Sequence, residues 1–402
     1  MQDTLSALLS LPEQELKIRG LIDTPREIHQ QPDTWHSTLR RLTAIHTTIH
    51  DFLDACDLTP DSSTPPEVIL IGAGTSDYIG RAVSRILRQQ WRCGVTVVPS
   101  TELLTNMDDF ILPGKRYVFL SFSRSGESSE GVAVLEQALE RFAQQVRHIV
   151  ITCSESSTMA KFPGVFAIIL DDAVNDRGLA MTSSFSNMVI AGQYLAFSHT
   201  RESYRPLLQE LAAMGTALLP QAANTAAALA QKGFPRMCFL GTGALQAVAE
   251  ESALKVLELN GGRIATIAQS PLGLRHGPMS FVNDQTLVVA FLSGGEYRQR
   301  YELDLLEEIQ RKDLGADMLL VAPHLTRRVG KLTKNILSLD APHAFPDSCR
   351  PPVDVIAGQL LGLFFAIENG ITPDTPSNGA ISRVVSHVNI YSPAETGRRS
   401  NA

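Results

Sequence analysis

The sequence predicts an α/β protein made of two copies of one doubly wound, parallel-sheet domain, and three observations carry that expectation. First, from residue 68 onward short apolar runs alternate with stretches of helical spacing, the pattern of βα units in a sheet covered on both faces. Second, matches recur at one constant offset of 169 residues: Gly72-Ala73-Gly74 with Gly241-Thr242-Gly243, Phe122 with Phe291, Gly126 with Gly295, Glu127 with Glu296, and Ala167–Asp171 with Ile336–Asp340. One offset across three separate elements implies a duplicated domain. Third, Tyr117–Ser128 reads as a buried strand running into a serine-rich turn and then a helix.

In chain order, residues 1–58 form an N-terminal helical segment. Thr24-Pro25-Arg26-Glu27 fits a capping box with proline in the first turn. Trp35, Leu39, Leu42, Ile45, Ile49, Phe52 and Leu53 follow at helical spacing. Thr59–Pro66, rich in Pro, Ser and Asp, is the first boundary. The first domain, 59–215, then reads strand Val68–Ile71, helix Ser76–Trp91, strand Val95–Val98, a short helix from Ser100, and strand Val118–Phe122 with its helix to about Gln145. Strands His148–Thr152 and Phe166–Leu170 complete it, and helical residues 180–231 bridge to a second domain, 216–370. Val353–Ile367 is the last apolar helix. In the tail, 371–402, the apolar Ile381, Val384, Val385, Val388 and Ile390 favour a segment folded over something.

Composition excludes several classes. The 402 residues are 44% hydrophobic and 19% charged, too apolar for disorder. Net charge is −7 with no long basic run, which argues against nucleic-acid binding. Cys56, Cys93, Cys153, Cys238 and Cys349 are widely spaced and odd in number, so neither a disulfide framework nor a zinc motif is expected, and no clustered metal ligands are seen. The first twenty residues lack a signal-peptide core, and no apolar run is read as reaching membrane-spanning length. The expectation is a soluble, cytoplasmic protein with no membrane partner.

Two turns and one helix could carry chemistry. Ser123, Ser125 and Ser128 surround Gly126 where a strand meets a helix. Free N–H groups and partial positive charge there, joined by three hydroxyls, make a cradle for a phosphate or another small anion; an N-cap alone would use one serine. Gly72-Ala73-Gly74-Thr75-Ser76 opens another helix, but Asp77 stands where a dinucleotide fingerprint wants glycine, so the turn suits sugar hydroxyls better. No P-loop and no nucleophile elbow is present. In the second domain the equivalents of Ser125 and Ser128 are Gly294 and Tyr297, so one working phosphate loop per chain is expected. Lys255 and Glu258, three apart, share a helix face. A solvated ion pair is the ordinary reading, but the surrounding Ala253, Leu254, Val256, Leu257 and Leu259 are apolar. Beyond them His276 sits between glycine and proline in a loop. A carboxylate, an ammonium and an imidazole could move protons on a sugar.

From about residue 24 to 390 the chain resembles the double sugar-isomerase (SIS) family. Gly72–Ser76, Ser123–Ser128, Ala253–Glu258, Arg275–Pro278 and Arg26–Pro32 resemble the isomerase half of glucosamine-6-phosphate synthase. Asn175–Phe185 and Ser382–Val385 resemble the bacterial galactosamine-6-phosphate deaminase/isomerase branch, also labelled tagatose-6-phosphate ketose/aldose isomerase. The resemblance implies two tandem SIS domains of flavodoxin-like, three-layer αβα build. It also implies that Ser123, Ser125 and Ser128 bind a 6-phosphate, with Arg124 lining the loop and Gly74, Thr75, Ser76 and Thr182 near the substrate. Glu258 would be the proton-transfer base, Lys255 would stabilise developing charge, and His276 would open the sugar ring from a neighbouring subunit. Two departures stand out: there is no glutaminase domain with its catalytic cysteine, and no lysine follows Lys334 to act as a tail Schiff base.

The expected function is therefore an enzyme without metal or cofactor that converts an amino-hexose 6-phosphate to a ketose 6-phosphate and ammonia. The best match is galactosamine 6-phosphate to tagatose 6-phosphate, in a homo-oligomer with shared active sites. The alternatives are a fructosamine-6-phosphate deglycase and a non-catalytic phosphosugar sensor. A DNA-binding form of the latter would need a recognition helix, which residues 1–58 do not offer.

Overall fold

The structure is a computed structural model that describes residues 2–342, 345–377, 379–385 and 388–391. The end of the predicted tail, 392–402, lies outside the described residues. Among the described residues, ten strands form two five-stranded parallel sheets: β1 Glu67–Gly72, β2 Val95–Pro99, β3 Tyr117–Ser123, β4 Val146–Thr152 and β5 Val165–Ile169, then β6 Arg236–Gly241, β7 Ala265–Gln269, β8 Thr286–Phe291, β9 Asp317–Ala322 and β10 Ile336–Ser338. The first sheet runs β2-β1-β3-β4-β5 and the second β10-β9-β8-β6-β7, so each has the same order and the same reversal beside its first strand.

The helices are α1 Thr4–Leu9, α2 Glu13–Arg19, α3 Thr24–His29, α4 Gln31–Ala44, α5 His46–Ala55, α6 Thr75–Trp91, α7 Ser100–Phe110, α8 Ser129–Phe142, α9 Thr158–Lys161, α10 Ser183–Ala196, α11 Arg201–Lys232, α12 Ala244–Leu259, α13 Pro271–Leu274, α14 Glu296–Arg311 and α15 Pro351–Glu368. Their placement follows from strands that are apolar on both faces. Val68 and Leu70 of β1 face the central core, while Ile69 and Ile71 face an outer one. Met237 and Phe239 of β6 join the central core, while Cys238 and Leu240 face a third. The central core includes residues of α4, α5, α6, α10, α11, α12 and α15 and both inner sheet faces.

Three sequence expectations are corrected. Thr24 and Glu27 do not form a capping box. The Thr24 hydroxyl donates to Asp374, which also accepts from the backbone N–H groups of Ile22, Asp23 and Thr24, while Glu27 accepts from the N–H groups of Arg177 and Gly178. A tail residue thus caps α3. Second, α15 is long and apolar enough to cross a membrane by length and composition, yet 89% of it is buried inside the molecule against α11 and α12. Third, although the sequence shows no clustered metal ligands, folding gathers His50, Asp54 and His199. All five cysteines are buried and free.

Candidate active site

The reversal in the first sheet separates the carboxyl ends of β1 and β3, the place where open α/β sheets hold ligands. A cavity of about 250 Å³ opens there. It is lined by Gly72, Ala73 and Ser76 after β1, by Ser123, Arg124, Ser125 and Ser128 after β3, by Ser100, Thr101 and Met181, and by Arg383–Val385 of the tail.

The serine turn is held by its own backbone. Gly126 has φ +67°, and a Cβ there would lie 1.8 Å from the Ser157 hydroxyl, so only glycine fits. The Ser123 hydroxyl accepts from the Gly126 N–H at 3.0 Å, and that of Ser125 from the Glu127 N–H at 3.2 Å. Each hydroxyl that accepts from the backbone keeps its own proton to donate. Ser128 occupies the N-cap of α8 but its side chain makes no capping bond. The Ser129 N–H donates instead to the Val385 carbonyl at 3.0 Å.

Arg124 is the unusual group. It is only 6% exposed, and it donates to the carbonyls of Leu179 at 3.3 Å and Arg383 at 2.6 Å. Among the described residues it forms no ion pair. Burial, foremost, lowers its pKa. A buried guanidinium lining a cavity with no carboxylate in contact, and only the more distant charge of Asp176 and Glu27 acting on it, favours an anion in that cavity. The corresponding turn of the second sheet carries its own anion. Asp347 accepts there from the Ser293 hydroxyl and the Gly294 N–H, and pairs with Arg298 and Arg350.

The turn after β1 ties the cavity to α12. Thr75 accepts from the Lys255 ammonium at 2.9 Å and donates to Glu251 at 3.2 Å. Lys255 pairs with Glu251 at 3.5 Å and contacts Glu258. The Lys255 and Glu251 side chains are fully buried and that of Glu258 is 22% exposed, so this is no solvated surface pair. Desolvation, foremost, pushes the Glu251 carboxyl up to about 8, with the Glu258 charge adding to it. Burial works against the charge of Lys255, but the two carboxylates outweigh it and raise its pKa. Arg124 bears on Lys255 in the opposite direction, which links the two groups across the turn.

The structure therefore brings Ser76, Ser123, Arg124, Ser125 and Ser128 to one cavity, with Gly74 and Thr75 in the turn that joins it to Lys255 and Glu258. Two expected residues fall elsewhere. Thr182 is fully buried and its hydroxyl donates to Asp176 at 3.0 Å, where Asp176 caps α10; its neighbour Met181 lines the cavity instead. His276 is exposed just after α13 and does not line the cavity. Sequence reasoning missed Glu251, although its spacing of four from Lys255 puts both on one helix face. It gave no role to Arg383, whose guanidinium holds the tail to Asn175 and to the Asp176 carbonyl, both at 2.8 Å.

Comparison with known proteins agrees with this picture. Residues 64–198 match the SIS domain model. The chain is 33% identical to D-galactosamine-6-phosphate deaminase AgaS of Escherichia coli O157:H7, covering 92% of this chain and 95% of that relative. It superposes on the tagatose-6-phosphate ketose/aldose isomerase of Escherichia coli with a TM-score of 0.80 at 31% identity, over 92% of this chain and 96% of that one. A proposed tagatose-6-phosphate ketose/aldose isomerase of Clostridium novyi NT gives a TM-score of 0.89 at 28% identity, over 96% and 98% of the two chains.

Proposed function

The chain belongs to the SIS-domain family, in the branch of D-galactosamine-6-phosphate deaminases, and from that premise we propose that it is an amino-sugar-phosphate deaminase and isomerase. Its substrate is galactosamine 6-phosphate and its products are tagatose 6-phosphate and ammonia. The observation that carries this reading is the buried Arg124 with no carboxylate in contact, set among three serines in a cavity whose neighbouring turn bonds a buried Lys255 and Glu251.

In this reading the 6-phosphate lies in the Ser123–Ser128 turn against Arg124. After ring opening, Glu258 takes the C2 proton, which leaves an enolamine across C1 and C2. Return of the proton to C1 converts the enolamine to an imine at C2, and water hydrolyses the imine to the ketone and ammonia. Lys255 balances the negative charge that grows at the C1 oxygen. His276, exposed and away from its own chain's cavity, serves a neighbouring chain's ring-opening step in a homo-oligomer. In this reading SIS domains at 59–215 and 216–370 carry the two sheets, after an N-terminal helical segment at 1–58 and before a C-terminal tail at 371–402. Five free, buried thiols fit a cytoplasmic location.

The test is ammonia release from a panel of hexosamine 6-phosphates, with and without N-acetyl groups. Galactosamine 6-phosphate should yield equal amounts of ammonia and ketose 6-phosphate, and N-acetylated forms should yield none. Release confined to fructosamine phosphates would replace this reading by a deglycase.

A further inference from the structure

We propose that His50, Asp54 and His199 form a binding site for a divalent transition-metal ion, of the zinc, nickel or cobalt class, on the side of the molecule where α5 meets the start of α11. His50 and Asp54 are four apart on α5 and so share one face, one turn from each other. His199 lies in the single 3-10 turn Ser198–Thr200 that leads into α11. Far apart in sequence, the three side chains converge: one donor atom from each lies within 4.8 Å of the others. His50 Nδ1 is 3.2 Å from Asp54 Oδ2, and His199 Nε2 is 3.8 Å from Asp54 Oδ1. The two imidazole centroids are 4.8 Å apart.

An ion that binds nitrogen and oxygen donors at about 2.0–2.2 Å wants those donors roughly 3–3.5 Å from each other. The closest pair already has that spacing, and small side-chain rotations close the rest. Side-chain exposures of 37%, 46% and 16% leave room for an ion and for water as a fourth ligand. Two imidazoles and one carboxylate favour zinc, nickel or cobalt over magnesium or calcium, which prefer all-oxygen shells. His199 Nε2 donates to the Leu58 carbonyl at 3.1 Å, so an ion bound through this nitrogen displaces that proton and releases that bond. His46, one turn before His50, has Nδ1 3.1 Å from the Tyr194 hydroxyl. None of these residues lines the sugar-phosphate cavity. They join the N-terminal helices to the helix that bridges the two sheets, so a bound ion would pin α5 to α11 and act on stability rather than turnover.

The full chain, stripped with a chelator, would be titrated with Zn²⁺, Ni²⁺ and Mg²⁺ by calorimetry, with metal content measured after dialysis. One Zn²⁺ or Ni²⁺ per chain is expected, with a higher melting temperature and no saturable Mg²⁺ binding. His50→Ala or His199→Ala should weaken binding by about tenfold or more, since even outer-shell partners of a metal are worth about 10–100-fold. The near-isosteric Asp54→Asn should weaken binding without disturbing the fold. Replacing Zn²⁺ with Co²⁺ in the wild-type chain should give visible bands of mixed nitrogen and oxygen ligation, a readout that needs no variant. No saturable Zn²⁺, Ni²⁺ or Co²⁺ binding, or undiminished binding in folded Asp54→Asn and His50→Ala chains, overturns the proposal.

Discussion

Glu251, Lys255 and Glu258 set up an uneven charge balance on one face of α12, with two carboxyl groups around one buried ammonium. The structure resolves it by burying Glu251, whose carboxyl keeps its proton up to about pH 8. Lys255 lies between the two carboxyls, of which Glu258 is the more exposed. If Glu258 is the base, Glu258→Gln should lower kcat by about 10²–10⁴-fold with little change in ligand affinity, the usual worth of general-base catalysis. Exchange of the substrate's C2 proton with solvent deuterium, followed by NMR, should stop as well; wild-type exchange in this variant would assign the base elsewhere. Glu251 has a separate signature. The unfolded chain releases this proton near the ordinary glutamate value of 4.5 and the folded chain near 8, so between those values the folded state binds more protons. Its contribution to stability is complete below the lower value and is lost as pH rises through the window. Glu251→Gln should therefore flatten the fall in melting temperature between about pH 4.5 and 8, read by calorimetry across that range. An unchanged profile would mean that Glu251 is ionised in the folded protein.

At the scale of elements, the helix ends are satisfied by distant parts of the chain. Asp374 caps α3 and Val385 serves the first turn of α8, so the tail is fastened at two helix N-termini. Arg383 lies between them and holds the loop before α10. Asp374→Ala removes an acceptor shared by three backbone donors. It should cost about 0.5–2 kcal/mol, the range for losing an N-cap. Hydrogen exchange should quicken at Ile22–Thr24 and in the tail while staying slow in the strands. Equal acceleration throughout the molecule would show that the tail is not a separate latch.

At the scale of the molecule, the two sheets share a strand order, but the serine-rich turn of the first lines a cavity with the buried Arg124, while the matching turn of the second is tied to Asp347, which lines a cavity of its own with Thr242, Gly243 and Arg298. The same chain leaves His276 exposed and out of its own cavity. If a neighbour's His276 completes the site, mixing inactive Glu258→Gln chains with inactive His276→Ala chains should restore part of the activity after subunit exchange. Ammonia release by demonstrably mixed oligomers is the readout. No recovery would place every catalytic group within one chain.

The α/β architecture was legible in the residues, because strands buried on both faces and helices with one apolar stripe leave a periodic mark on neighbouring positions. So was the serine turn, since a strand end, a glycine and three hydroxyls lie within a few positions. The pairing of Lys255 and Glu258 was legible for the same reason, being one helix turn apart. Packing alone shows that Lys255 is fully buried and Glu258 largely so, because that follows from α6, α12 and α15 closing around them. Only packing could show that Asp374 caps α3, that Arg383 spans to Asn175, or that Thr182 serves α10 rather than the cavity. Each of those bonds joins polar groups whose partners local spacing cannot reveal. A buried donor takes whichever acceptor the fold brings to it, and that choice is made by the packing of distant elements.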